Sequence, residues 1–470
     1  MDINESAPKE GEKGTGPEAG SGKATFLTVL RHSGFRNLWL GQIISQIGDY
    51  FAFLALMVVV SGFSTDPGDT TRDVSVMMIA LTLPRLFFGV LAGVFVDRWD
   101  RRRTMLVSDL VRMILTLSLI PAVLMHNPLM IYALAFTLAA VGTLFNPAKG
   151  ALIPNLVPKE QLTSANALSQ TSMMLATFVG PALAGATFAA AGEGNQWVAF
   201  IVDSASFMIS AFAIWRISVP VGSEVAADKD TSTVSYGGAF RRVWDELVIG
   251  LKALLLNRTM VALAGVVGVT WLGIGAINVL WVVFLKVGFG FEQAELAWRI
   301  SIIDIVFSAG MVIASVAVGN FLSHVTPKWF VAVGLLVGGL AIAPLGYIPD
   351  YWIVVASMLL IGLFVAPINT GTTTLMQIVV PNNQLGRVGG GIATIADAAS
   401  LISMGMAGVF GTLVGVPVVF LIGGTMCALG GVAAWVLLPP LTLKDKPVEA
   451  TDKAAEVQAE RPGLVTVPGE

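Results

Sequence analysis

Thiol and imidazole are nearly absent from this sequence: 470 residues hold one cysteine, Cys427, and three histidines, His32, His126 and His324. A lone cysteine excludes a disulfide within the chain, and because it sits in an apolar run it carries no information on redox compartment. The histidines are scattered over polar connections, so neither a metal set nor a nucleophile with its base can be assembled from them. No catalytic residue, no metal and no cofactor is therefore expected, and the chain reads as a non-enzyme. Charge is scarce too: Asp, Glu, Lys and Arg make up 13% of the residues, 28 basic against 31 acidic, for a net charge of −3. No basic patch interleaved with aromatics is present, so no nucleic-acid partner is expected. A cleavable leader is not expected either, since residues 1–24 are rich in Glu, Lys, Gly and Pro and have no apolar centre.

What the sequence has instead is apolar length. Hydrophobic residues reach 55% with a mean hydropathy of +0.77, far above a soluble average. A bilayer core of about 30 Å takes roughly 20 apolar residues per spanning helix. Runs of that kind lie near 35–61, 74–96, 104–125, 129–148, 166–190 and 197–219, and again near 259–285, 298–322, 329–348, 351–370, 388–412 and 415–438. The fold class expected is an all-α membrane protein of twelve transmembrane helices in two six-helix bundles, over 35–219 and 259–440. Residues 1–34 and 441–470 read as disordered tails, and 220–258 as a linker. Within the linker, AFRRVWDELVIGLKALLL gathers Phe240, Trp244, Leu247, Leu251 and Leu254 on one face, the pattern of a helix lying in the membrane interface.

Lysine and arginine fix an expected orientation. With residue 1 in the cytoplasm, Arg31, Arg36, Arg98, Arg101 to Arg103, Lys149, Lys159, Arg241, Arg242, Lys252, Arg258, Lys328 and Arg387 fall on the inner side. Only Arg72, Lys286 and Arg299 fall outside, so both termini are expected in the cytoplasm of a multi-pass plasma-membrane protein. GPEAGSGKAT, Gly16 to Thr25, imitates a phosphate-binding loop, but its spacing is one residue too long, Ala24 follows Lys23 where Ser or Thr is required, and no strand precedes it. It reads as flexible tail.

The two halves echo each other. NPAKGALIPNLVPKEQL, from Asn146, and NTGTTTLMQIVVPNNQL, from Asn369, align without a gap at an offset of 223, pairing Asn146 with Asn369, Leu152 with Leu375, Val157 with Val380, Pro158 with Pro381, Gln161 with Gln384 and Leu162 with Leu385. A six-helix unit duplicated in parallel topology is the reading.

Gly93, Asp97, Arg98, Arg101 and Arg102 make G-x-x-x-D-R-x-x-R-R between the second and third spans, and TFVGPALAGA places Gly180, Pro181 and Gly185 in the fifth. The first resembles the loop motif of the major facilitator superfamily, the second the Gly-Pro motif of its antiporter branches. LWLGQIISQIGDYF, LPRLFFGVLAGVFVDRWDRRR, FNPAKGALIPNLVPKEQLTSANAL and AFIVDSASFMISA extend the resemblance to the macrolide-efflux-like branch, over roughly residues 30–440. It implies a monomeric secondary transporter working by alternating access, with a small-molecule substrate and a coupling proton: efflux of a hydrophobic or amphipathic compound such as a drug, macrolide or siderophore. A lysophospholipid or lipid flippase, or an uptake carrier, is the alternative on the same fold. The resemblance also implies that Asp97 meets the positive start of the eleventh span, Val388 to Gly391, as a conformational latch. The fourth span, IYALAFTLAAVGTLFN, lacks the arginine of classical drug/proton antiporters, so coupling would run elsewhere.

Ionisable groups in mid-membrane cost about 2.5–3.5 kcal/mol each on insertion scales and therefore face protein or a watery path. Counting about 1.5 Å per residue, Asp49 lies about 21 Å, Arg85 about 18 Å and Asp203 about 20 Å from the cytoplasmic side. Arg85 between Asp49 and Asp203 is expected, either as a fixed ionic clamp or with Asp49 free to exchange a proton or meet a cation. Asp109 and Arg112, roughly 9–14 Å in, are expected to join the loop arginines. Asp304 and Asp397 have no Lys or Arg of the second half at their depth and are expected to serve in coupling or substrate binding. Asn278 is a further candidate for hydrogen bonding to substrate. Pro181 is expected to bend its helix, with small neighbours allowing close packing.

Overall fold

The computed structural model describes residues 26–192, 194–218, 254–322, 325–381 and 384–441, with the side chains of residues 90–98, 159, 293 and 294 left out of the description. Of the expected tails and linker, residues 1–25, 220–253 and 442–470 lie outside the described residues, whereas 26–34, expected as disordered tail, holds a short helix and the start of the first long one. The chain runs α1 Phe26–Leu30, α2 Ser33–Ser61, α3 Pro67–Arg98, α4 Arg101–Leu124, α5 Pro128–Gly142, α6 Phe145–Leu152, α7 Leu162–Ala191 and α8 Trp197–Trp215. After the linker come α9 Arg258–Val283, continued by a π turn at Phe284–Gly288, then α10 Gln293–Asn320, α11 Pro327–Ile342, α12 Tyr351–Val379, α13 Leu385–Val414 and α14 Val416–Leu437. No strand occurs among the described residues.

Starts are set by side chains that take up free N–H groups. Asn127 accepts from Met130 N at 3.1 Å, Asn257 from Thr259 N at 3.0 Å and Asp350 from Trp352 N at 2.7 Å. Among the described residues, eleven helices are long and apolar enough to cross a membrane. The twelfth expected span, α3, is 32 residues long but is not among them; it carries Asp69, Arg72, Asp73 and Arg85. The expected end of α12 at 370 moves to Val379, because its polar residues turn inward on their own helix: Thr370 Oγ1 donates to Ala366 O and Thr373 Oγ1 to Asn369 O.

The duplication read from sequence extends into geometry. Helices α7 and α13 are each 30 residues long, and each begins after a glutamine, Gln161 or Gln384, and ends on a glycine of positive φ, Gly192 at 76° and Gly415 at 83°. All these positions obey the same offset. An L side chain is strained at that φ, which is why glycine closes both helices. Elsewhere small residues bring helices together: a Cβ on Gly424 would lie 2.6 Å from Ala343 Cα, and one on Gly431 would lie 2.9 Å from Leu336 Cα, so α11 and α14 meet backbone to backbone.

The apolar core is distributed unevenly along the long axis. At the end where the described residues begin and finish, here the terminal end, there are two separate clusters, one around Phe35, Met105, Phe145 and Ile214, the other around Met260, Val331, Leu375 and Val388. At the opposite end, here the far end, a single cluster takes residues from both halves, among them Phe51, Met57, Met77 and Phe200 with Leu280, Phe284, Ile300 and Phe420. The halves are therefore fused at the far end and parted at the terminal end.

Candidate functional site

Four helices converge on one guanidinium. Arg112, on α4, donates from Nη2 to Asp49 Oδ1 of α2 at 2.6 Å. Its Nη1 stands 3.9 Å from Asp109 Oδ1 one turn away, and its plane covers the Phe207 ring of α8 at 4.0 Å. Gly142 of α5 leaves space beside it, since a Cβ there would lie 3.7 Å from Nε. Asp109 and Asp203 are wholly buried. Asp203 accepts from Thr116 Oγ1 and Ser206 Oγ, both at 3.4 Å, and abuts Gly48, where a Cβ would lie 2.7 Å from Oδ1. Neither oxygen of Asp109 has a hydrogen-bond partner among the described residues. One cation thus faces three carboxylates in the interior of the first half, and Asp49 alone of the three is open, with 44% of its side chain exposed.

Two expectations are corrected here. Arg112, not Arg85, is the cation between Asp49 and Asp203, and Asp109 with Arg112 belongs to this cluster rather than to the loop arginines. The depth count began α4 at 104, whereas it begins at Arg101, and an arginine stem reaches several ångströms beyond its Cα. Arg85 has the right depth but the other face of α3: its Nη1 is 4.0 Å from Asp397 Oδ1 of α13. The reading that Asp397 lacks a basic neighbour is corrected with it, because that neighbour comes from the first half. Asp304 stays without a hydrogen bond or ion pair among the described residues, beside Tyr50. Asn278 is exposed on α9.

The far-end seal is built from the small residues around Pro181, expected to allow bending and close packing, and the packing they allow is between the two halves. A Cβ on Gly185 of α7 would overlap Ser301 Oγ and lie 2.5 Å from Ser301 Cβ, across the boundary between halves. The residue 223 positions later, Gly408 of α13, makes the matching contact: a Cβ there would lie 3.1 Å from Ser75 Oγ of α3. Gly180 makes room for the Tyr50 ring, whose Cδ2 would be 2.5 Å from an added Cβ. Pro181, buried in α7, has no N–H for the carbonyl of Thr177 one turn back, and that oxygen accepts instead from Ser308 Oγ of the other half at 3.3 Å. The proline thus frees an acceptor for the seal.

Lys286, read from sequence only as a charge on an outer loop, closes the seal. From the π turn of the second half its Nζ donates to Ser61 O and, at 2.8 Å, to Ser64 O, the carbonyls at the C-terminal end of α2. A cation at a helix C-terminus is favoured there, and hydrogen bonds from charged donors contribute about 1.5–3 kcal/mol. Lys286→Met is expected to shift the balance toward a form open at the far end by about tenfold or more. A cysteine at Ser75 in a Cys427→Ala background should then react faster with a membrane-impermeant maleimide; an unchanged rate would show that Lys286 does not hold the seal.

In the loop motif, Arg101 donates to Ala151 O at 3.2 Å, and Arg102 donates to Ile214 O at 3.1 Å and to Trp215 O, capping the end of α8. Asp100 starts α4 by accepting from Arg103 N at 2.6 Å. Gly93, Asp97 and Arg98 lie among the residues whose side chains are outside the description, and the latch expected of Asp97 lies there with them.

The family model described as Major Facilitator Superfamily matches residues 263–466, and that described as Transmembrane secretion effector matches residues 24–251. Macrolide efflux protein A of Streptococcus pyogenes is 26% identical over 400 residues, covering 83% of this chain and 93% of that protein. A bacterial homologue of the iron transporter ferroportin, solved in an inward-facing state, superposes with a TM-score of 0.64 at 14% identity over 87% of this chain and 98% of its own. A D-xylose–proton symporter superposes with a TM-score of 0.63 at 15% identity, over 90% and 100% of the two chains.

Proposed function

Because this chain belongs to the major facilitator superfamily, in its macrolide-efflux-like branch, we propose that it exports hydrophobic or amphipathic small molecules across the cell membrane in exchange for protons. Membership makes it a membrane transporter with a small-molecule substrate. Direction, coupling and cargo are the proposal. The observation that carries it is the asymmetry of the core, one cluster shared at the far end and two parted at the terminal end. With both termini in the cytoplasm, as the distribution of Lys and Arg supports, this is the shape in which an exporter loads from the cytosol and an importer releases to it, and the likeness to macrolide efflux protein A favours export. The seal and the charge cluster both arise within one chain, which supports a monomer as the working unit.

Proton exchange is assigned to the Arg112 cluster. One guanidinium cannot neutralise three carboxylates in a medium of low dielectric, so two protons complete the balance, and exposed Asp49 is the position at which one of them enters and leaves. In the alternate shape the terminal end closes, and Asp97 meeting the glycines of α13 belongs to that state.

In proteoliposomes with an imposed proton gradient, the wild-type protein is expected to drive efflux of lipophilic dyes. Asp49→Asn is expected to lose the response to that gradient by about 5–150-fold, the range of a coupling of about 1–3 kcal/mol, while still binding the dye. Gradient-driven transport at the wild-type rate in Asp49→Asn would remove the cluster from coupling.

A further inference from the structure

Two arginine–carboxylate pairs occupy the membrane interior, and they are built differently. Arg112 is held by a 2.6 Å hydrogen bond and an aromatic face, with 13% of its side chain exposed. Arg85 has 67% of its side chain exposed, stands 4.0 Å from Asp397 and makes no hydrogen bond among the described residues. An arginine carries five N–H donors in a planar fork. Almost all of that capacity at Arg85 is unused.

Its place along α3 and α13 gives the unused capacity a meaning. On α13 one stripe runs Gly386, Gly390, Ala393, Asp397, Met404, Gly408. The first three are exposed, whereas Met404 is buried and Gly408 is packed on Ser75. On α3 the matching stripe runs from Thr71 and Ser75, packed on Gly411 and Gly408, through buried Met78 to exposed Arg85. Arg85 and Asp397 therefore meet where the two helices part, at the blind end of the cleft that opens toward the terminal end. Asp397, at 26% exposure, is the more withdrawn partner, so the guanidinium is the group presented to whatever enters.

We propose that Arg85 is the binding site for an anionic oxygen head group, carboxylate or phosphate, on an amphiphilic substrate, and that Asp397 is a built-in competitor that occupies Arg85 when the cleft is empty. This rests on the transport reading above and narrows its cargo. The fork offers paired N–H groups to two oxygens of the head group; the apolar part of the molecule lies along the helices beside it. Binding replaces a 4.0 Å contact by direct hydrogen bonds, and release returns the guanidinium to Asp397. Because the pair spans the two halves, the head group also loosens α3 from α13 at the point where they diverge. Among the described residues the other charged groups of the interior do not compete for Arg85: Asp49, Asp109 and Asp203 surround Arg112, and Asp304 lies beside Tyr50 on α2.

The test is equilibrium binding of radiolabelled dodecyl phosphate to the full chain in lipid nanodiscs, with empty nanodiscs subtracted. Unlabelled dodecyl phosphate should displace the label at concentrations about tenfold or more below dodecanol or dodecyltrimethylammonium, the preference expected of a charge-assisted fork. Arg85→Gln should weaken binding about tenfold or more, and Arg85→Lys should retain part of it. Asp397→Asn should tighten binding several-fold by removing the competitor. A merely structural ion pair predicts the opposite sign, with Asp397→Asn and Arg85→Gln weakening binding alike, and that result overturns the proposal. So does stronger displacement by dodecyltrimethylammonium. If Arg85→Gln does not fold, the opposed effects of Arg85→Lys and Asp397→Asn decide. Selective binding without proton-driven export would leave the head-group site standing and sink the export reading instead.

Discussion

Replacing Arg112 with methionine is expected to cost about 3–5 kcal/mol of stability, the penalty for leaving a buried charge without its partner. Asp49 and Asp109 pair with this guanidinium and Asp203 lies near it, and two of the three, Asp109 and Asp203, have no exposed surface through which water could take its place. The loss should appear as a large fall in melting temperature, or as failure to recover a monodisperse protein. Arg112→Lys is expected to fail almost as badly, since an ammonium cannot both reach Asp49 and lie flat on Phe207. Recovery of much of the stability when Arg112→Met is combined with Asp49→Asn and Asp109→Asn would identify charge imbalance as the cause. A single mutant that melts at the wild-type temperature would refute the view that the cluster is held by its cation.

Gly185→Val is expected to be the most damaging change that leaves each half able to fold. The new side chain would occupy the volume of Ser301 across the boundary, and overpacking of this kind costs about 1–3 kcal/mol. Here the strain is relieved by parting the far end, so it appears as a shift between conformations of roughly 5–150-fold rather than as unfolding. Transport should fall steeply, and a Ser75→Cys reporter should become accessible from the far side. Gly185→Ala paired with Ser301→Gly should restore the seal, because the smaller partner returns the lost space. Gly408→Val, at the equivalent position of the other seam, should reproduce the defect; its absence would break the symmetry on which the argument depends.

Much of the fold was legible because helix length and polar punctuation are local properties. The long apolar runs, the alignment of Gln161 with Gln384 and the basic residues at one end all read directly. Which face a residue presents was not legible. Helix α3 has no apolar face set apart from a polar one, so no periodicity told Arg85 to turn toward α13 rather than into its own bundle. Arg112 could be counted along its helix, but its reach to Asp49 depends on where α4 starts and on the gap left by Gly142. Lys286 looked like a loop charge because its acceptors are backbone carbonyls, which every residue has and no side-chain pattern reveals. Pro181 was visible as a helix breaker, but the acceptor it releases acquires a partner only once Ser308 of the other half is in place.

The two Gly–Ser contacts, Gly185 with Ser301 and Gly408 with Ser75, stand on opposite flanks of the same seam. A lid fastened at one point can swing ajar; one fastened on both flanks must come away from both together. Partial opening would tear one contact while straining the other, so intermediate leaky shapes are disfavoured at both edges. This is what distinguishes a carrier from a pore: the membrane stays insulated while the cargo changes sides, because the barrier gives way as a unit.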